Sequence, residues 1–235
     1  MNSYIILLTA LLPIAILVFY IYYKDKNSPE PVGQLVKAFL FGVLSVPLSL
    51  CLSVPFELMG LYSTEMTGIL DSVSTAFFGA AIPEEIAKLF ILWLILRNNP
   101  YFDENMDGIV YAVCVSLGFA ALENVMYLFS NAETYLAVGI SRAIFAVPGH
   151  FCFGILMGYY YSLARFCPLS SKKNKALILI APIVVHGLYD SILFISDVAP
   201  AISGILFIVF LIFCHKMWKY GSKSIKKHLC RDNRI

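Results

Sequence analysis

Seven apolar runs, each long enough to cross a bilayer, leave this chain few folds to choose from. A spanning helix needs ~20 mostly apolar residues. Such runs fall roughly over 4–23, 36–59, 72–96, 108–130, 135–164, 176–195 and 199–219. Only 14% of the residues are charged and 60% are hydrophobic, whereas a soluble domain carries about a quarter charged residues. The expectation is an all-α, polytopic transmembrane helical bundle of about seven spans, forming a single membrane domain over residues 1–235. The first run has no Lys or Arg ahead of it and no small-residue cleavage site behind it. It therefore reads as a retained helix and not as a signal peptide. The fifth is long enough to tilt or to project past the bilayer.

The basic residues orient the bundle. Lys24, Lys26 and Lys37 follow the first run, Arg97 the third, and Arg165, Lys172, Lys173 and Lys175 the fifth. Lys216, Lys219, Lys223, Lys226, Lys227, Arg231 and Arg234 follow the seventh. These are all but two of the 17 Lys and Arg residues, and they fall on alternate connections. The opposite connections carry Glu65, Asp71, Glu133 and Asp197, with no Lys or Arg. The positive-inside rule then puts the N-terminus outside and the C-terminus in the cytoplasm. Residues 216–235 read as a basic cytoplasmic tail that meets lipid headgroups, with no nucleic-acid partner. His215 and His228 are expected there in solvent or among headgroups. Asp103, Glu104 and Asp107 read as a solvated loop or a helix N-terminus, ahead of a calcium site. Tyr20, Tyr22, Tyr23 and Trp93 read as interfacial anchors. No two of the six cysteines form a C-x-x-C pair, so small buried hydrophobes are expected in place of a disulfide framework.

The remaining Lys and Arg, Lys88 and Arg142, lie inside apolar runs, as do Glu84, Glu85, Glu123, His150, His186 and Asp190. An ionisable side chain at the bilayer centre costs ~2.5–3.5 kcal/mol on insertion scales. Eight of them are tolerable only if they face one another, water or a metal. One explanation is a purely structural polar core, but such cores rarely concentrate so many groups at such cost. Spacing favours convergence. Glu84 and Lys88 share a helix face at i and i+4, and Pro83 can bend the chain just before them. Arg142, Ala146 and His150 lie on one stripe, with Pro148 able to open the backbone between them. His186 and Asp190 are again i and i+4, so a carboxylate can orient an imidazole. At ~1.5 Å of rise per residue, Glu123 and Asp190 sit roughly 10 Å below the outer face, and Glu84, His150 and His186 roughly 15–22 Å below it. One outward-opening cavity would serve them all.

Four carboxylates against one Lys and one Arg leave a net negative site that a divalent cation would balance. Two histidines and a carboxylate form a known catalytic zinc set, here Glu123, His150 and His186, with a position left for water and a second Glu as general base. The same groups can work with no metal, a dry Glu activating water while His and a neutral acid stabilise the oxyanion. Both routes are hydrolysis. A transporter or proton relay also uses intramembrane Asp, Glu and His, but no inverted repeat is visible and the charges crowd one half of the bilayer. A non-enzymatic scaffold and a haem held by His150 and His186 are the remaining alternatives.

The motifs also carry a family resemblance. Pro83-Glu84-Glu85-Ile86-Ala87-Lys88 is similar to the E-E-x-x-K motif of the PrsW family of bacterial intramembrane proteases, distant relatives of the CAAX-type prenyl-protein proteases. Phe119 to Asn124 resembles its F-x-x-x-E-N, Arg142 through Pro148-Gly149-His150 its third motif, and His186 to Asp190 its closing H-x-x-x-D. The agreement in order and spacing covers roughly residues 75–195. Lys88 departs from the CAAX-type pattern, which has Arg one place later, and that argues against a prenylated substrate. The resemblance implies a multi-pass endopeptidase of the bacterial cell membrane, with core helices over 72–195. It would cut a membrane-anchored protein, a single-pass anti-sigma factor, near the outer face. It implies Glu84 and Glu85 as base and partner. His150, His186, Glu123 and Asp190 would hold a metal or the oxyanion, and Lys88, Arg142 and Asn124 would orient the carboxylates.

Overall fold

The computed structural model describes residues 3–167 and 171–233; Arg234, counted above with the basic tail, lies outside them. Helices account for the described chain, and no strand occurs among the described residues. In order they are α1 (Ser3–Lys24), α2 (Val32–Leu58), α3 (Ile69–Ser74), a π-helical run (Thr75–Ala81), α4 (Ile82–Leu96), α5 (Asn105–Ser130), α6 (Tyr135–Ile144), α7 (Ala146–Phe166), α8 (Ser171–Val198), a 3₁₀ turn (Pro200–Ile202) and α9 (Ser203–Asp232). Six helical stretches are long and apolar enough to cross a membrane on their own. The third expected span is the continuous run from α3 through the π segment to α4, which changes helix type midway.

That change has a local cause. Pro83 has no N–H to return to the carbonyl four residues back, so the helix entering α4 must re-register around it. The chain does so with an i→i+5 stretch, and α4 restarts with Pro83 in its first turn, where the missing N–H costs nothing. The fifth expected span is also two helices. Pro148 again removes a donor and crowds the carbonyl of Ile144, and the chain breaks at Phe145 (φ −117°, ψ −60°).

Helix α5 is the central post, buried along most of its length between α2 and α7. Glycine makes both crossings possible. A Cβ at Gly118 would lie 2.1 Å from the carbonyl oxygen of Phe39 on α2, and one at Gly158 would lie 2.2 Å from that of Gly108 on α5. Small residues let helix backbones approach this closely, so dispersion contacts can hold a bundle in lipid, where no hydrophobic drive acts between helices.

The stretch expected as a tail instead continues α9 to Asp232. Gly221, Ser224, Ile225 and His228 recur at helical spacing and bury one face, while Lys219, Lys223, Lys226 and Lys227 stay exposed. His228 is therefore buried and not solvated: its ring stacks on Tyr159 at 4.5 Å, and His215 stays exposed. Asp232 caps the start of α5, accepting from the backbone N–H groups of Asn105 and Met106 at 2.9 Å each. The acidic loop before α5 is a helix N-terminus, as one of the readings above had it, with Glu104 and Asp107 forming a capping box. Asp107 is fully buried. The described cysteines are all free, with Cys114 and Cys152 buried.

Candidate active site

Four helices bring the intramembrane charges to one place. α4 supplies Glu84, Glu85 and Lys88, α5 supplies Glu123 and Asn124, α7 supplies His150, and α8 supplies His186 and Asp190. Arg142 reaches in from α6. All nine residues named from the sequence fall in this one cluster.

Lys88 is its hub. Its ammonium lies 3.1 Å from Glu84 Oε2, 2.9 Å from Glu85 Oε1 and 3.2 Å from His150 Nδ1, above the Phe119 ring at 4.1 Å. Lys88 and Glu85 are essentially inaccessible to solvent. An ammonium only donates, so His150 Nδ1 accepts and its proton sits on Nε2, which donates to Glu123 Oε2 at 2.8 Å. Both nitrogens of His150 are thus engaged. Arg142 completes that side, with Nη2 donating to Glu123 Oε2 at 2.7 Å and Nε donating to Asn124 Oδ1 at 2.6 Å. Asn124 then donates to the Ala10 carbonyl on α1 at 3.1 Å. A chain of polar contacts runs from the first helix to the His150 imidazole.

His186 anchors the other side. Nδ1 is 3.0 Å from Glu85 Oε1 and Nε2 is 3.1 Å from Asp190 Oδ2, while Phe153 stacks on the ring at 4.4 Å. The carbon atoms of the Phe77 ring approach Gly187 so closely that a Cβ there would lie 2.4 Å away, which locks the π segment against α8 beside His186. The two imidazoles stand edge to face with centroids 5.6 Å apart.

A cavity of about 320 Å³ opens beside this cluster, and Glu84, Glu123, His150, His186 and Asp190 all border it. Its other walls come from the C-terminal part of α5, from α6, from the start of α7 and from the end of α8. These are the helix ends opposite the basic connections. Glu85 does not border it, and its second oxygen, Oε2, is buried without a partner.

A divalent cation fits the donor set. One ligand atom from each of Glu84, Glu85 and His186 lies within 4.8 Å of the others, and the partnerless Glu85 oxygen offers a lone pair. The surrounding carboxylates outnumber the two cationic side chains. The expected set of Glu123, His150 and His186 is brought near, but Glu123 and His150 are bonded to each other and to Arg142 and Lys88.

Sequence reasoning passed over several members of the site. Tyr127 carries the Arg142 guanidinium on its ring at 4.1 Å, and it sits four residues from Glu123, on the same helix face. Ser116 donates to the His150 carbonyl at 2.7 Å, tying α5 to α7. The Phe153 stack had no signal beyond its spacing of three from His150.

Comparison with known proteins supplies a family. A sequence model described as PrsW family intramembrane metalloprotease matches residues 30–215. The chain is 34% identical to Protease PrsW of Clostridioides difficile over 97% of its own length and 93% of the relative's. It is 37% identical to Protease PrsW of Oceanobacillus iheyensis over 80% and 82%, and 34% identical to that of Bacillus subtilis over 90% and 89%. No solved structure matches it. Buried acids and imidazoles gathered around a membrane cavity, in a chain that aligns with these proteases over nearly its whole length, have one consistent reading: the chain belongs to the PrsW family of intramembrane metalloproteases, multi-pass hydrolases of the bacterial membrane.

Proposed function

We propose that this chain is an endopeptidase that hydrolyses a peptide bond of a membrane-anchored protein near the outer face, and that its substrate is a single-pass anti-sigma factor. The observation that carries the hydrolytic part is the cavity with two histidines and four carboxylates, Asp197 among them, on its wall. A scissile bond entering there would meet every group that water activation needs. The family resemblance of the motifs carries the substrate class.

Glu84 is the carboxylate of the Glu84–Glu85 pair that borders the cavity, so it is placed to accept a proton from an attacking water. Glu85 is committed to Lys88 and His186 and sets their positions. Lys88 supplies the countercharge to both carboxylates within 3.1 Å. Arg142 holds Glu123 against His150, fixing the imidazole that faces the same cavity. Glu85, through its unpartnered oxygen, and His186 would hold a divalent cation beside Glu84, zinc by the chemistry of the donor set, and when bound it would polarise the scissile carbonyl or the water whose proton Glu84 accepts.

The test is cleavage of a membrane-anchored reporter by the purified protein in lipid vesicles. Glu84→Gln is expected to lower the rate by ~10²–10⁴-fold, the usual worth of a positioned general base, with the protein still folded. Metal content measured alongside should fall in His186→Ala. Full activity in Glu84→Gln would overturn the assignment of the base. A reporter carrying an anti-sigma factor's membrane segment should be cut, and one carrying an unrelated segment should be spared. Equal cutting of both would remove the substrate proposal and leave the protease.

A further inference from the structure

Helices α4, α7 and α8 turn their catalytic residues inward, and their outer faces enclose a second cavity that no step of proteolysis uses. It is a groove of about 640 Å³ in the half of the bundle nearer the basic connections. Leu89, Phe90 and Trp93 of α4 form one wall and Ile178 of α8 another. From Ile86 to Trp93 the apolar wall runs roughly 10 Å along α4. Arg165, one residue before the end of α7, and Lys175, in the second turn of α8, close its end.

Those two cations lack countercharges. Both are exposed, neither joins any ion pair among the described residues, and no carboxylate lines the groove. Trp93 on that wall also carries the Arg97 guanidinium 5.0 Å from its ring centroid. An apolar slot inside the hydrocarbon, ending in unpaired cations and an aromatic ring at the headgroup level, matches an amphiphile with an acyl tail and an anionic head. An extended peptide segment would leave its backbone groups unpaired against these walls. A zwitterionic lipid would bring its own cation against Arg165 and Lys175.

We propose that this groove is a binding site for one anionic phospholipid of the cytoplasmic leaflet, with its phosphate at Arg165 and Lys175 and an acyl chain along Leu89, Phe90 and Trp93. The lipid would lie against the outer faces of the same helices that carry Glu84, Glu85 and His186 inward.

Native mass spectrometry of the full chain, released from detergent with phosphatidylglycerol or phosphatidylethanolamine added, tests this. The wild type should retain one phosphatidylglycerol in preference to phosphatidylethanolamine. Surface cations are worth ~1 kcal/mol each toward anionic lipid, so Arg165→Gln with Lys175→Gln should weaken retention about 30-fold. Leu89→Trp, which fills the slot and keeps the charge, should weaken it as well. Lys226→Gln with Lys227→Gln removes the same charge away from the groove and should leave retention unchanged. Arg165→Lys with Lys175→Arg should retain the lipid and checks that loss in the first pair is not misfolding. The proposal fails if both lipids bind alike, if the Lys226 and Lys227 pair loses as much as the Arg165 and Lys175 pair, or if Leu89→Trp binds as the wild type does.

Discussion

His150 shows how far single residues decide this site. Lys88 fixes its tautomer from one side, and Glu123, itself gripped by Arg142, fixes its ring from the other. Removing one partner from such a buried set leaves an uncompensated charge, which typically costs 3–5 kcal/mol. Lys88→Gln strands Glu84 and Glu85 together, so thermal unfolding in detergent should show a loss of about that size, and little folded protein should survive. Arg142→Lys is a gentler probe. It keeps the charge but loses the planar fork whose Nη2 and Nε reach Glu123 and Asn124 along fixed directions. Cleavage should fall about 10–100-fold, the usual cost of losing a group that orients a site's ligands, while the melting temperature barely moves. An unchanged rate would mean that the Glu123–His150 pair does not need Arg142. These residues were readable in the sequence because a charge inside a membrane is costly and so announces itself. Their aromatic supports, Phe153 and Tyr127, were not, since a ring in an apolar run looks like any other lipid-facing or core residue.

At the scale of elements, hydropathy averages over what the backbone does. It located the spans but missed the π run and the break at Phe145, both consequences of a proline's absent N–H. It also lost α9 after residue 219, where Lys223, Lys226, Lys227 and Arg231 interrupt the apolar run, although Gly221, Ser224, Ile225 and His228 mark a buried stripe for anyone counting in threes and fours. The helix crossings carry their own prediction. Gly118→Ala places a methyl against the α2 backbone, which unlike a flexible side chain cannot step aside. Overpacking of this kind costs ~1–3 kcal/mol, and thermal unfolding should show it, whereas Gly33→Ala, which meets open space, should show none. The loop between α1 and α2 adds a pH effect. Asp25 is 2% exposed, and burial, then the nearby Glu30 carboxylate, push its carboxyl up to about 7. Glu104 and Asp232 add to the same field. Below about pH 4 the group is protonated folded or unfolded, and its full stability is present. As pH rises toward 7 the unfolded chain releases the proton and the folded chain keeps it. Stability is then lost with a slope of at most ~1.4 kcal/mol per pH unit, levelling off above 7. Asp25→Asn should therefore raise the melting temperature most at pH 8 and hardly at all at pH 4. The reverse order would show that Asp25 is ionised and stabilising in the fold.

For the whole molecule, the number of crossings and the distribution of charge must give the same orientation. Six self-sufficient spans and the α3–π–α4 run make an odd number of crossings, so the two termini should lie on opposite sides. The basic residues gather at one end of the bundle, around Lys24, Arg97, Arg165, Lys175 and the exposed face of α9, and the protease cavity opens toward the other. By the positive-inside rule the first end should lie in the cytoplasm. That orientation would open the cavity to a substrate processed at the outer surface and so would join the fold to the proposed function. Single-cysteine labelling reads it directly. In a background with the six native cysteines replaced, Ser63→Cys in the loop between α2 and α3 should react with a membrane-impermeant maleimide on intact cells, and Lys223→Cys on α9 only after the cells are opened. Labelling in the opposite order would invert the bundle. It would put the cavity on the cytoplasmic side, and cleavage at the outer face would then have to be abandoned even if every catalytic assignment stood.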